Sequence, residues 1–479
     1  MNRLSGRLGL MFLILIGVGS ALAQELKYVE YDTDLLPGSV YKARREKVMR
    51  EIGEDGIAIF YSAPERHRNG DVEYPYRQDD NLYYLTGFTE PNAILVLVPN
   101  GATVRKDDDS TATTSTREIL FVQKRDPFRE QWTGRRYGPA GAMKLRGLEY
   151  GATNDQFRPV LSRLMTSNKP KYIYVASFRP DFTGTIAQLL QPVRELTAQK
   201  DAAVEVKDPS TIVRKMRIIK SPEEIEYLTK ATEISVAAHN QAMMSCEPGM
   251  HEYELQAVYE YVYRKLGAES GGYPCIVGAA ENSVILHYDK VRRPINNGDI
   301  VLADCAAEYR GYSSDVTRTF PANGTFSKPQ REIYQIVLDA EKAAIAAMRP
   351  GVEWRAVSSI VDSVTTEGLM KLGLMKSRER RELRRFLMHG VGHPVGLNVH
   401  DVGQPILEAG MVHTIEPGIY IAEGMEGVDP GYYNIGVRVE DTVLITPTGN
   451  KVLSAGSPRE IAEIEAMMKK RGIGNEPVQ

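Results

Sequence analysis

The chain has 479 residues, 42% of them hydrophobic and 25% charged, and a formal net charge of −3. That length exceeds one typical domain and predicts two or three. The composition is that of a soluble globular protein, and a charge so close to balance gives no basic face, which argues against nucleic acid as a partner.

The first segment reads as an address rather than as structure. Arg3 and Arg7 form a positive stretch, Leu8 to Val18 is an apolar run, and Ala21-Leu22-Ala23 is a small-residue cleavage site before Gln24. The run is too short to span a bilayer comfortably, so a secretory signal peptide over 1–23 is expected, with export to the periplasm or outside the cell and no membrane attachment afterwards. Removing two arginines and no acid takes the net charge from −3 to −5. The three cysteines, Cys246, Cys275 and Cys305, form no disulfide spacing, and their apolar contexts predict buried small hydrophobes rather than a thiol nucleophile.

From Ser39 to about Glu149 the sequence reads as strands and turns. Gly56–Tyr61, Ala93–Val98 and Ile119–Gln123 are short aliphatic runs of buried-strand type, and Lys171–Ala176 is a further one. Lys106–Thr116 is polar and of low complexity, which predicts an exposed hairpin loop. The alternation of helix and strand to about Lys207 predicts an N-terminal α/β domain over 24–207 with a mixed sheet. A second domain is expected over 208–465, followed by a C-terminal tail over 466–479.

Ser221-Pro222-Glu223-Glu224 is a capping box with proline at the first helical position, so a helix starts there and runs to about Ser245. A second helix is predicted over His251–Leu266. Strands follow near Tyr273–Val277, Ser283–Tyr288, Asp299–Ala306 and Arg310–Phe320. Two more helices cover about Pro329–Met348 and Trp354–Lys371, and strands dominate as far as Pro447. Each half of this domain reads as two helices and then strands, a hint of internal duplication.

The chemistry lies on those strands. Asp304 ends an apolar run, a costly place for an acid unless it is paired or bound to metal. A turn at Glu308–Tyr312 would bring it near Asp315, eleven residues later. His389-Gly-Val-Gly-His393 and Asn398-Val-His400-Asp401 place three of the chain's eight histidines within twelve residues of a glycine-rich loop. Glu416 ends a β-like run before Pro417-Gly418. Arg438 and Glu440 share a strand face by the period of two, so an arginine holding the Glu440 carboxylate ionised is expected. Four carboxylates and one imidazole over 137 positions are a ligand set for two divalent ions side by side.

The strings Leu-Ala-Asp304, Ser-Ser-Asp315-Val-Thr-Arg-Thr-Phe, His389-Gly-Val-Gly-His393, Thr-Ile-Glu416-Pro-Gly and Gly-Val-Arg-Val-Glu440-Asp resemble the pita-bread metallopeptidases, which include methionine aminopeptidase, prolidase and aminopeptidase P. Glu73-Tyr-Pro-Tyr-Arg77-Gln-Asp-Asp-Asn-Leu-Tyr-Tyr-Leu-Thr-Gly-Phe88 and Trp132-Thr-Gly-Arg-Arg-Tyr-Gly resemble the N-terminal domain of bacterial aminopeptidase P, which methionine aminopeptidases lack. The resemblance implies an α+β fold, with a pita-bread catalytic domain behind a creatinase-type N-terminal domain. It implies hydrolysis of the bond between an N-terminal residue and a following proline by a metal-bridging hydroxide, with two divalent ions, most often manganese.

Carried onto these positions, the resemblance gives metal ligands at Asp304, Asp315, His393, Glu416 and Glu440. Asp315 and Glu440 bridge, and Glu416 is also the general base. His287 and His400 would hold the scissile carbonyl, and His389, Tyr420 and Arg438 would contact substrate. A homodimer or homotetramer is implied, with Trp132 reaching a neighbour's site. Two other readings use the same motifs: an Xaa-Pro dipeptidase of the prolidase kind, and a pita-bread binding protein without catalysis, which typically lacks one or more ligands. One departure stands beside Asp304, where the family's Asp-Ala-Gly is replaced by Asp304-Cys305-Ala306.

Overall fold

A computed structural model describes residues 31–106, 109–175 and 204–476, together with 191, 195 and 198. The expected signal segment lies outside the described residues, as does Ala176 at the end of its predicted strand.

The N-terminal half is built on a mixed six-stranded sheet. Its order is Tyr150–Thr153, Asp109–Val122, Ile94–Lys106, Gly56–Tyr61, Tyr172–Val175, Glu205–Lys207. Gly56–Tyr61 pairs antiparallel with Ile94–Lys106 and parallel with Tyr172–Val175. Val96, Ile119, Phe121 and Ile173 on one face pack under the helix Phe157–Ser167. Ala58, Phe60, Leu95 and Leu120 on the other face join a core that continues into Tyr227, Leu228, Tyr312, Val395, Leu397 and Val412 of the second half. Each such aliphatic side chain contributes roughly 1.5–3 kcal/mol of burial, so this shared core ties the two halves together.

Two expectations for this half change. Four helices, Gly38–Ile52, Asp80–Thr86, Pro127–Thr133 and Gly138–Arg146, lie within the span read as strands and turns. The first was hidden because its inner face carries Arg44 and Arg45 beside Tyr41, Val48, Met49 and Ile52, and two charges mask the helical period. Arg45 is accommodated by a forked pairing to Glu118 at 2.6 and 2.9 Å. The stretch Lys106–Thr116 is largely strand, not loop: Ala102↔Thr116 through Arg105↔Thr113 extends the ladder outward. Its β-branched threonines suit a pleated strand.

The C-terminal half repeats one theme. The helices Pro222–Ser245 and Glu252–Lys265 pack together and lead into the antiparallel sheet Ile276–Ala279, Ile300–Asp304, Thr317–Pro321. The helices Lys328–Ala347 and Trp354–Lys371 pack likewise and lead into Val412–Ile415, Asp441–Thr446, Gly449–Val452. The capping box at Ser221 and Glu224 is formed as expected. The turn at Arg310–Gly311 joins Ala307–Tyr309 to Tyr312–Ser313, as the position of Glu308–Tyr312 predicts.

The expected strand Ser283–Tyr288 does not form. A 3-10 turn at Ala280–Asn282 leads into a loop, because the buried Glu252 carboxylate collects the Ala279 amide, the Asn282 side chain, the Tyr288 hydroxyl and the Arg293 amide. Side-chain oxygens thus replace the partner strand that these groups would otherwise need. The turn Ile473–Asn475 packs on the end of the helix Pro222–Ser245 through Ser245. Among the described residues no helix is long and apolar enough to cross a membrane.

Candidate active site

A cleft of about 680 Å³ opens on the C-terminal half and is lined by Asp304, Asp315, His393, Glu416 and Glu440. His287, His389, His400 and Arg438 line it as well. The acids sit where strands stop. Asp304 is the last residue of Ile300–Asp304, Asp315 precedes Thr317–Pro321, Glu416 falls between Val412–Ile415 and Gly418–Ile421, and Glu440 precedes Asp441–Thr446. A strand end leaves the side chain free to turn into the cleft while the ladder holds its backbone.

Neighbouring strands set their spacing. Asp304 pairs with Thr317 in the ladder, and the Glu440 amide donates to the Thr317 carbonyl at 3.1 Å. The Thr317 hydroxyl donates to the Glu440 carboxylate at 2.6 Å. Behind them, Nε2 of the buried His239 faces the carbonyls of Cys305 and Val316 at 2.9 and 3.0 Å, so that nitrogen carries the hydrogen; Nδ1 accepts from the Tyr259 hydroxyl. One imidazole therefore pins the residues that follow Asp304 and Asp315. His393 is held by two bonds to Thr414, its amide to the hydroxyl and its carbonyl to the amide. Gly392 (φ +150°) makes this approach possible, since a Cβ there would lie 2.4 Å from the Thr414 carbonyl oxygen.

Ligand atoms of Asp315, His393 and Glu440 all lie within 4.8 Å of one another. His393 Nε2 is 3.3 Å from Asp315 and 3.7 Å from Glu416. The electrostatics are those of a site short of positive charge. Burial, then Asp315, Glu416 and Asp304, push Glu440 well above the usual carboxylate range. Burial raises Glu416 to about 8, with Asp315 and Asp304 adding to it against His393 and Arg438. Asp315 is also raised by burial. Burial would lower His393, but the Asp315 carboxylate outweighs it and brings the imidazole up to about 9. Divalent cations among these oxygens would relieve the repulsion, and the donor set of carboxylates with one imidazole suits them.

One residue that sequence reading passed over sharpens the point. The Tyr273 hydroxyl lies 2.6 Å from Asp304 and 2.5 Å from Asp315. A single O–H cannot donate to both, so one contact needs a proton on the carboxyl or a cation nearby. Nothing in Gly272-Tyr273-Pro274 marks it as more than a strand start.

Arg438 departs from expectation. Its partner is Asp304 at 2.5 Å, not Glu440, and it also reaches the Tyr420 hydroxyl at 2.8 Å and Thr317 at 3.2 Å. Its strand, Ile435–Arg438, ends before Glu440, so the period-of-two argument does not extend that far. Tyr420 is buried and does not line the cleft; its hydroxyl stands behind it, between Arg438 and His389 Nε2 at 2.7 Å. Burial, then Arg438, hold His389 down at about 4. His287 and His400 are exposed at the rim, and the His400 ring meets His393 edge to face at 4.2 Å. Cys305 and Ala306 are fully buried and line no part of the cleft, so the departure beside Asp304 is taken up by packing.

Comparison with known proteins agrees with this geometry. Residues 226–447 match metallopeptidase family M24, and residues 41–174 match the aminopeptidase P N-terminal domain. The Xaa-Pro aminopeptidase of Escherichia coli is 38% identical over 89% of this chain and 97% of its own length. Xaa-Pro aminopeptidase 3 of Homo sapiens is 33% identical over 89% and 85%. The solved structure of E. coli aminopeptidase P with the inhibitor Pro-Leu superposes with a TM-score of 0.82 at 38% identity, covering 91% of this chain and 98% of that one. Through both its domains, the chain belongs to the aminopeptidase P group of the M24 pita-bread metallopeptidases.

Proposed function

We propose that the protein is a metal-dependent aminopeptidase that hydrolyses the bond between an N-terminal residue and a following proline. The observation that carries the reading is the convergence of Asp304, Asp315, His393, Glu416 and Glu440 in one cleft with three further histidines. Relatives of near-equal length bearing the name Xaa-Pro aminopeptidase support it. Asp304, Asp315, His393, Glu416 and Glu440 would hold two divalent ions, manganese for preference. Such ions supply Lewis acidity toward a carbonyl and a water.

The chain's own groups do the rest. Glu416, whose carboxylate lines the cleft beside His393, takes a proton from the attacking water and passes it to the proline nitrogen. His287 and His400 hydrogen-bond the scissile carbonyl oxygen as it gains charge. Proline offers no N–H and a fixed φ, so it is selected by shape. His389, backed by Tyr420 and Arg438, forms the wall that fits the ring. The mature protein is placed outside the cytoplasm by removal of residues 1–23. It works as a dimer or tetramer, for which the exposed Trp132, on a helix with no buried residue, supplies a contact toward a neighbour.

The test is to strip the purified mature chain of metal and assay Xaa-Pro-Xaa and Xaa-Pro peptides with each ion restored singly. Cleavage of the tripeptide with manganese is expected. Cleavage confined to the dipeptide would make it a prolidase, and no cleavage with any ion would leave only the binding-protein reading. Mature protein recovered from the periplasm or medium is expected to begin at Gln24.

A further inference from the structure

The loop from His393 to Asp401 joins two histidines of the cleft; the sheet strand Val412–Ile415 holds its start, through Thr414 and the Val412 carbonyl, while its far part is fixed from outside that sheet. The loop closes on itself: the Asp401 amide donates to the Pro394 carbonyl and the Gly396 amide to the Asn398 carbonyl. The Asp401 carboxylate folds back over Gly396, where any Cβ would lie 1.9 Å from it, so only glycine leaves the space. That carboxylate is buried and pairs with Arg217 at 2.6 Å and Lys220 at 3.4 Å. Arg217 also reaches Asn81 at 3.2 Å and Asp80 at 3.5 Å. Asp80 in turn faces the Asn398 side chain at 3.5 Å and takes Arg77 at 2.7 Å. Arg77 donates to the Leu397 carbonyl at 2.5 Å and pairs with Glu308 at 2.7 Å.

Three cations, Arg77, Arg217 and Lys220, thus meet three carboxylates, Asp80, Glu308 and Asp401, beneath the segment between His393 and His400. Contacts on that segment at Leu397 and Asn398, and on Asp401 just after it, are made by residues 77–80 and 217–220. Largely buried charge networks add little net stability compared with apolar packing, but they define one arrangement, because removing any member leaves another unpaired. Arg77 and Asp80 belong to the Glu73–Phe88 string, whose role the metal cluster leaves unexplained.

We infer that the N-terminal domain, through Arg77 and Asp80 with Arg217, is a positioning element for the histidine loop, setting where His400 meets substrate. The inference rests on the proposed peptidase reading for its kinetic consequence but not for its structural one. Arg77 is the residue to alter, since its side chain is 45% exposed. Arg77→Met in the full chain is expected to speed backbone hydrogen exchange across residues 393–401. It is also expected to lower kcat/KM for an Xaa-Pro-Xaa peptide on the order of tenfold, while manganese affinity by titration calorimetry stays within about threefold of the parent. Asp401→Asn is expected to do the same, more strongly.

Coupling decides the assignment. In a His400→Ala background, Arg77→Met is expected to cost almost nothing further, because its effect passes through His400. Unchanged exchange in 393–401 together with unchanged kcat/KM would overturn the inference, and so would fully additive losses in the double variant. A parent enzyme that cleaves no proline peptide defeats the proposed function alone, since the exchange measurement still decides the anchoring.

Discussion

Glu440 and Asp441 are chain neighbours with opposite electrostatic surroundings. Asp441 points to the back of the sheet, meets Arg318 at 2.8 Å and Arg459 at 2.5 Å, and is held below the usual carboxylate range against the cost of its burial. Glu440 points to the front, where burial and three other carboxylates push it far above that range against Arg438. Arg318 braces both, donating to the Glu440 carbonyl at 2.6 Å and to the Asp441 carboxylate. The back cluster supplies two arginines to Asp441 and serves to hold the strand. The front cluster is deficient in positive charge by construction, which is how a fold keeps a place for cations.

The widest gap between the two clusters is expected on removing a front carboxylate. Asp315→Asn should abolish metal binding in calorimetry and reduce peptide hydrolysis to the level of the stripped protein; unchanged hydrolysis would remove the bridged-metal reading. Glu416→Gln should lower kcat by about 10²–10⁴-fold with metal still bound, the range for losing a general base. At the back, Asp441→Asn should leave Arg318 and Arg459 short of a partner and cost about 3–5 kcal/mol in denaturant unfolding. Arg438→Lys cannot fork between Asp304 and Tyr420, and metal affinity should fall about 10–100-fold.

The smallest effect is a change of stability with pH. The folded-state value of Glu416, about 8, lies above its unfolded one, and His393, at about 9, is also raised. Both contributions are fully present at low pH and are lost as pH rises through those values. The melting temperature of stripped protein should therefore decline from about pH 5 upward, most steeply between about pH 6.5 and 8 where both groups contribute, and level off near pH 9. Added manganese should stabilise more at pH 8.5 than at pH 6, because it replaces the protons. A front cluster whose stripped form grows more stable with rising pH would contradict the comparison.

The sequence was most legible where the signal is local. The capping box at Ser221 depends on four consecutive residues, and the ligand strings carry their chemistry in five or six. The helix Gly38–Ile52 was not legible, because Arg45 is an inward residue only once Glu118, far along the chain, stands opposite it. Tyr273 was missed for the same reason, since its meaning comes from two aspartates that a ladder brings to it. His287 lines the cleft from a loop rather than from the predicted strand, since Glu252 turns its segment away from a ladder.

By itself, then, the sequence determined which side chains could hold metal and which family of folds could gather them, because residue type and short spacing are properties of the chain. Only the tertiary structure decided that Arg438 serves Asp304, that Tyr420 stands behind the cleft, and that Arg77 grips the histidine loop. Those pairings join segments up to hundreds of residues apart, and such partners are chosen by strand register and packing, which no local pattern encodes.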